Sequence, residues 1–216
     1  MNVIPTGIMA DRHLADAVLG MATKAEAPER SYWKMISCRE TEGYEGRSAR
    51  ILRMDPTKDW EWKTDPLSQT VKRLVEPFVH HYSHLTRVEL LIQKPGEAVY
   101  CHKDRITGQI YNGIVSTVGF EEDWEKYGPV CNADPTQHEK QRFFGGRLSL
   151  GACGKSYILQ SISSRPEKVY YHYDNQFFFL NEDVFHGADA VGFWRGVVFF
   201  DGIQNPEVMC RYYDSF

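Results

Sequence analysis

No two cysteines in this chain stand at the C-x-x-C spacing of a structural zinc site or a redox pair. The five present, Cys38, Cys101, Cys131, Cys153 and Cys210, are scattered and odd in number. A disulfide framework is therefore not expected, and a reduced, cytoplasmic compartment is the simplest expectation. Apolar runs long enough to cross a bilayer are missing, which argues against a helical membrane protein. Residues 1–10 are too short and too polar a stretch for a secretory signal. Strongly basic runs are also missing, and acidic residues outnumber basic ones by 29 to 25, for a net charge of −4. A dedicated nucleic-acid surface is not expected on that balance. Internal repeats, low-complexity tracts and clear linkers do not occur. What the chain does have is apolar material: 42% hydrophobic and 13% aromatic residues over 216 positions. That is enough to fill a core, which excludes a disordered chain and suits one domain.

The patterning predicts two helices and then mostly strands. Leu14, Val18 and Met21 keep helical spacing over residues 11–25, behind Asp11 as a cap. Asp65-Pro66 is a strong helix start, and Leu67, Val71, Leu74, Val75 and Phe78 carry an apolar face to about Tyr82. Residues 31–38 read as a strand, and 39–64 as polar, glycine-bearing chain ending in Trp60 and Trp62. Further strands are expected at 85–93, 98–104, 109–120, 147–150, 156–161, 169–173, 176–180 and 194–200. The sum is an α+β fold, mainly β, with N-terminal helices buttressing one face of a sheet. Residues 121–145 interrupt the pattern with charge, Pro129 and Pro135. A long segment of that kind is either a lid or a solvated excursion.

The chemistry concentrates in His102-Lys103-Asp104, His186 and Arg195. Residues two apart on a strand point the same way, so His102 and Asp104 can offer an imidazole and a carboxylate to one metal. His186, from a distant strand, completes a two-histidine, one-carboxylate face of the kind that suits non-haem Fe(II) and leaves positions open. Arg195 is the type of donor that holds a carboxylate by two parallel hydrogen bonds. A hairpin about residues 190 and 191 would set His186 opposite Arg195, about 4.5–5.5 Å apart at Cα.

Together these residues, with the stretches KPGEAVYCHKD and NEDVFHGADAVGFWRGVVFFDG, resemble the Fe(II)/2-oxoglutarate-dependent dioxygenases. The likeness runs over residues 85–203. It is strongest to the branch holding the free-amino-acid (proline-type) hydroxylases and the aspartyl/asparaginyl hydroxylase-like enzymes. It implies a double-stranded β-helix (jelly-roll, cupin-like) core at 85–203, a preceding region at 1–84, and a C-terminal tail at 204–216. It also implies iron on His102, Asp104 and His186, 2-oxoglutarate on Arg195, and O₂ as the oxidant. Where that branch has a second basic contact soon after the metal motif, this chain has Tyr111 and Asn112, so no second clamp is assigned. The related halogenases lack the carboxylate ligand. Asp104 therefore favours hydroxylation.

Rival readings exist within the chain. His172-Tyr173-Asp174 is a second H-x-D, too close before His186 to leave room for an intervening sheet, and reads as structural or near the substrate. His80, His81 and His84 lack an acidic partner set and read as solvated residues at a helix end. Cys101 reads as core. The expected substrate is a small polar metabolite, with a free amino acid or derivative favoured. A nucleoside or nucleotide, with Arg105, Arg142 or Arg147 meeting a phosphate, and a peptide are alternatives. Outside enzymes, a non-catalytic cupin-like binding protein is the rival class. A zinc hydrolase lacks an evident general base beside the motif. Residue types alone assign no oligomeric state.

Overall fold

Val88, Leu90 and Ile92 alternate with Glu89, Leu91 and Gln93 along one long strand, and that alternation organises the molecule. The computed structural model describes residues 2–24, 34–37, 45–53, 61–102, 107–111, 114–118, 144–151, 154–162, 165–181 and 184–213. The chain runs β1 (Val3–Met9), α1 (Arg12–Lys24), β2 (Lys34–Ser37), β3 (Glu45–Arg53), β4 (Glu61–Trp62), α2 (Pro66–Val79), β5 (Tyr82–Gln93) and β6 (Val99–His102). It continues through β7 (Thr107–Tyr111), β8 (Ile114–Val118), β9 (Phe144–Leu150), β10 (Ser156–Ile162) and β11 (Arg165–Tyr171). β12 (Gln176–Asn181), β13 (His186–Ala188), β14 (Arg195–Gln204) and α3 (Pro206–Tyr213) complete it.

Antiparallel sheets with few helices make up the described structure. The large sheet has the order β1-β12-β9-β14-β5-β3-β2, with β4 on β3, and the small sheet has the order β11-β10-β13-β6. A β7–β8 pair stands apart. Past β5 the chain alternates between the two main sheets: β6 joins the small one, β9 the large, β10 and β11 the small, β12 the large, β13 the small and β14 the large.

The first helix begins as its sequence predicts. Asp11 Oδ1 accepts from the backbone amides of His13 (2.8 Å) and Leu14 (3.1 Å), which takes up otherwise orphaned donors. Asp65 does the same for the amide of Ser68 at 2.8 Å, with Pro66 in the first turn. Ala15, Val18 and Ala22 of α1, and Leu67, Val71, Leu74, Val75 and Phe78 of α2, pack on one face of the large sheet. The sheet answers with Leu90, Ile92, Leu148, Leu150, Phe177, Phe179, Val198 and Phe200. Phe78 lies flat on Phe177, with ring centroids 4.4 Å apart. On the opposite face, Phe178, Leu180 and Val3 meet Ile158 of the small sheet. The two sheets therefore face each other across an interior.

Several expectations need correction. Residues 3–9 form an edge strand, and 45–53 form an inner strand of the large sheet. The expected single strand at 109–120 is two, β7 and β8. The α2 helix stops at Val79, and Tyr82 already begins β5. The C-terminal tail contains α3, docked through buried Met209. Most of the 121–145 insertion lies outside the described residues. No helix among the described residues is long and apolar enough to cross a membrane.

Candidate metal and carboxylate site

β13 lies between β10 and β6, and its register puts His186 directly opposite His102. Directly opposed residues of an antiparallel pair share a face of the sheet. On the other side, His186 stands opposite Ile158, whose side chain packs into the interior against Phe178 of the large sheet. His186 is accordingly buried, at 8% exposure. Its Nδ1 lies 2.9 Å from the carbonyl oxygen of Val184. A carbonyl only accepts, so Nδ1 carries the proton and donates it. An imidazole that ligates a metal through Nε2 has its ring orientation set by such a bond on the other nitrogen.

Room for that strand comes from Gly187. A Cβ there would lie 2.7 Å from the Val99 carbonyl oxygen and 2.8 Å from the Tyr157 hydroxyl. Any side chain would push β13 away from β6 and β10, and with it the pairing of the two histidines.

Arg195 stands on the other sheet. It opens β14 and pairs with Gln93, the last residue of β5. The expected hairpin that sets His186 opposite Arg195 does not form. The six residues between β13 and β14 cross from one sheet to the other, and β14 pairs with β5 and β9 instead. Both residues nonetheless belong to the interior. Val198 and Phe200 of β14 point to the helices, so Arg195, Val197 and Phe199 point to the opposite face. Arg195 is 2% exposed. Its Nε donates to Gln93 Oε1 at 2.6 Å and its Nη1 to the Gly154 carbonyl at 3.1 Å. Two neutral oxygens thus orient a buried guanidinium.

The end of the molecule that holds Arg195 is built from three connections. The amide of Gly96, in the β5–β6 turn, donates to the Val191 carbonyl of the β13–β14 connection at 2.8 Å. Asp189 donates through its amide to the carbonyl of Lys155, just before β10, at 3.0 Å. Gly154 belongs to the same connection as Lys155. His186 sits two residues inward from this end of its strand.

Gln93 is the residue that sequence reasoning missed. It closes the apolar run Leu90-Leu91-Ile92, and a polar residue ending such a run is the one signal available. It is 2% exposed. Arg147 also faces the interior, at 3% exposure, with its guanidinium 4.4 Å from the centre of the Phe199 ring. Arg105 and Arg142 lie outside the described residues.

Asp104, the third expected ligand, lies outside the described residues too, and His102 is placed by its backbone register alone. Among the described residues, no group of three or more His, Cys, Asp or Glu could hold a metal. The rival pair is on the surface: His172 and Asp174 are both exposed, between β11 and β12. His81, expected as a solvated residue, is instead fully buried. Its Nδ1 donates to the Phe78 carbonyl at 3.0 Å, and its Nε2 accepts from the Tyr212 hydroxyl at 2.9 Å. Both ring nitrogens are engaged in fastening α3 to α2. His80 is exposed.

No protein-family model matches the chain, and no curated protein matches it either. Solved structures resemble it over most of its length at low sequence identity. An oxidoreductase of the 2OG-Fe(II) oxygenase family from Burkholderia pseudomallei is 12% identical over 94% of this chain and 87% of its own, with a TM-score of 0.48. A prolyl-4-hydroxylase from Pseudomonas putida is 10% identical over 94% and 93%, with a TM-score of 0.49. HygX from Streptomyces hygroscopicus, with nickel and 2-oxoglutarate bound, is 12% identical over 93% and 82%, with a TM-score of 0.44.

Proposed function

We propose that the chain is an Fe(II)- and 2-oxoglutarate-dependent oxygenase that hydroxylates a C–H bond of a small polar metabolite, a free amino acid or a derivative of one. The observation that carries this reading is the register of β13 on β6, with His186 opposite His102. The alternation of strands between the two sheets supports reading the core as a double-stranded β-helix. His102, Asp104 and His186 would hold the metal. Arg195 would take the distal carboxylate of the co-substrate. Bound iron with 2-oxoglutarate and O₂ supplies oxidation of an unactivated C–H bond, with loss of CO₂ from the co-substrate.

The chain's own residues do the rest. The Val184 carbonyl holds the His186 ring in its ligating tautomer. Gln93 and the Gly154 carbonyl aim Arg195. Phe178, Leu180 and Ile158 close one part of the interior against water. A substrate with both polar and apolar parts suits the sheet face that carries Arg147, Ser149, Leu91 and Phe199. Asp104, as a carboxylate ligand, favours hydroxylation over halogen transfer.

The test is anaerobic addition of 2-oxoglutarate to the Fe(II) protein, followed by O₂. A metal-to-ligand charge-transfer band, then succinate formation with a competent amino-acid substrate, is the expected result. A protein that binds small ligands but never consumes 2-oxoglutarate would instead be a cupin-like binding protein.

A further inference from the structure

Gln93 has one end of its amide in use and the other buried and idle. Its oxygen accepts from Arg195 Nε at 2.6 Å. The orientation of that amide is unambiguous, because a guanidinium N–H can only donate and so must face the oxygen. The amide nitrogen, Nε2, is buried and has no hydrogen-bond partner among the described residues. Buried donors are satisfied in nearly all folded proteins, so this one calls for a partner from outside the described residues. Gln93 shares the interior face with Leu91, since Leu90 and Ile92 pack against the helices. It is also the direct cross-strand neighbour of Arg195. One of its N–H groups is therefore held beside the guanidinium, on the face that looks toward the small sheet and His186.

We infer that Gln93 Nε2 is a second donor to the carboxylate that Arg195 binds, so that the co-substrate carboxylate is held by one cationic and one neutral side chain. The inference rests on the assignment of Arg195 to that carboxylate. A planar anion has two oxygens, and an arginine–glutamine pair on adjacent strands offers donors to both. Since Gln93 Oε1 also fixes Arg195, the two residues act as one clamp. This would fill the place for which the sequence offered only Tyr111 and Asn112.

A double-mutant cycle on the Fe(II) protein, kept anaerobic, tests it. The readout is the dissociation constant for 2-oxoglutarate, taken from the charge-transfer band or by calorimetry. Gln93→Leu should weaken binding on the order of tenfold, as loss of a hydrogen bond to a charged group does. The deciding arm is Gln93→Leu in an Arg195→Ala background. A direct contact gives a further loss there. If Gln93 only props Arg195, no further loss appears, and the inference is overturned. Gln93→Glu retains an oxygen for Arg195 Nε, so it protects the fold. It puts an anionic oxygen where the N–H₂ was, and should bind 2-oxoglutarate more weakly than Gln93→Leu. Unchanged affinity in Gln93→Glu also overturns the inference and assigns Nε2 to a water. If Arg195→Ala alone leaves affinity unchanged, the carboxylate site itself is misplaced, an outcome distinct from failure at Gln93.

Discussion

The two faces of the large sheet are built from the same strands and differ in almost every respect. Toward the helices, β5, β9, β12 and β14 present Leu90, Ile92, Leu148, Leu150, Phe177, Phe179, Val198 and Phe200, all buried. Toward the small sheet, the residues in between include Gln93, Arg147, Ser149 and Arg195, each only 2–3% exposed. The helix face gains from burying apolar area, at roughly 25 cal/mol per Å². The interior face sinks polar and charged groups that cost free energy to desolvate. One side holds the fold; on the proposed reading, the other takes the ligand.

The sharpest break on the stabilising side is Phe177→Ala. Phe177 is fully buried, stacked on Phe78 and edge-on to Phe200 at 6.0 Å. Its truncation should cost about 3–5 kcal/mol of unfolding free energy. Denaturant titration checks this. The fraction that remains folded should bind 2-oxoglutarate normally, since nothing on the interior face has changed.

His81 tests the same face differently, because it is a polar group there with both ring nitrogens engaged. Burial first, then the neighbouring charges of His80 and Arg211, lower its pKa from 6.5 to about 4. The folded protein keeps the ring neutral, while the unfolded chain takes up a proton as pH falls through 6.5. Stability from this residue is complete above that pH and is lost between about 6.5 and 4, by about 3 kcal/mol. Denaturation midpoints measured at intervals over that range should fall with pH, and His81→Phe should flatten the slope.

On the interior side, Arg195→Ala should weaken 2-oxoglutarate binding by about 1.5–3 kcal/mol, on the order of tenfold to a hundredfold. It should leave Fe(II) binding nearly intact. An unchanged Michaelis constant for 2-oxoglutarate rejects the role. The smallest effect belongs outside both faces. Lys168 and Tyr170 meet Asp189 at 2.6 Å each on exposed surface, and such pairs contribute little in water. Asp189→Ala should leave both the thermal midpoint and ligand affinity unchanged.

Much of the helix face was legible in the sequence and less of the interior face. The spacing in α1 and α2, and the caps at Asp11 and Asp65, are local signals that survive folding. Strands β1 and β3 escaped because Pro5, Thr6 and Gly7 break the first pattern, and Gly46, Arg47, Ser48 and Arg50 give the second little apolar alternation. The Asn112-Gly113 pair between β7 and β8 carries a hairpin signal, at odds with one continuous strand. Among the described residues of helix α3, Met209 is buried and Val208 and Tyr212 are half-buried, too short a stripe to read. The His186–Arg195 hairpin failed for another reason. A six-residue connection can return to its own sheet or cross to the opposite one, and sequence periodicity is the same either way. Register across sheets is a tertiary property, which is also why Gln93 was invisible beside Arg195.

On the proposed reading, the interior holds a metal between β6 and β13. The most direct test of this is Fe(II) stoichiometry under anaerobic conditions for the unaltered protein and the His102→Ala, His186→Ala and His172→Ala variants. The expected result is a single Fe(II) per chain, lost in the first two variants and kept in the third. Full iron occupancy in both His102→Ala and His186→Ala, or its loss in His172→Ala alone, would contradict the account.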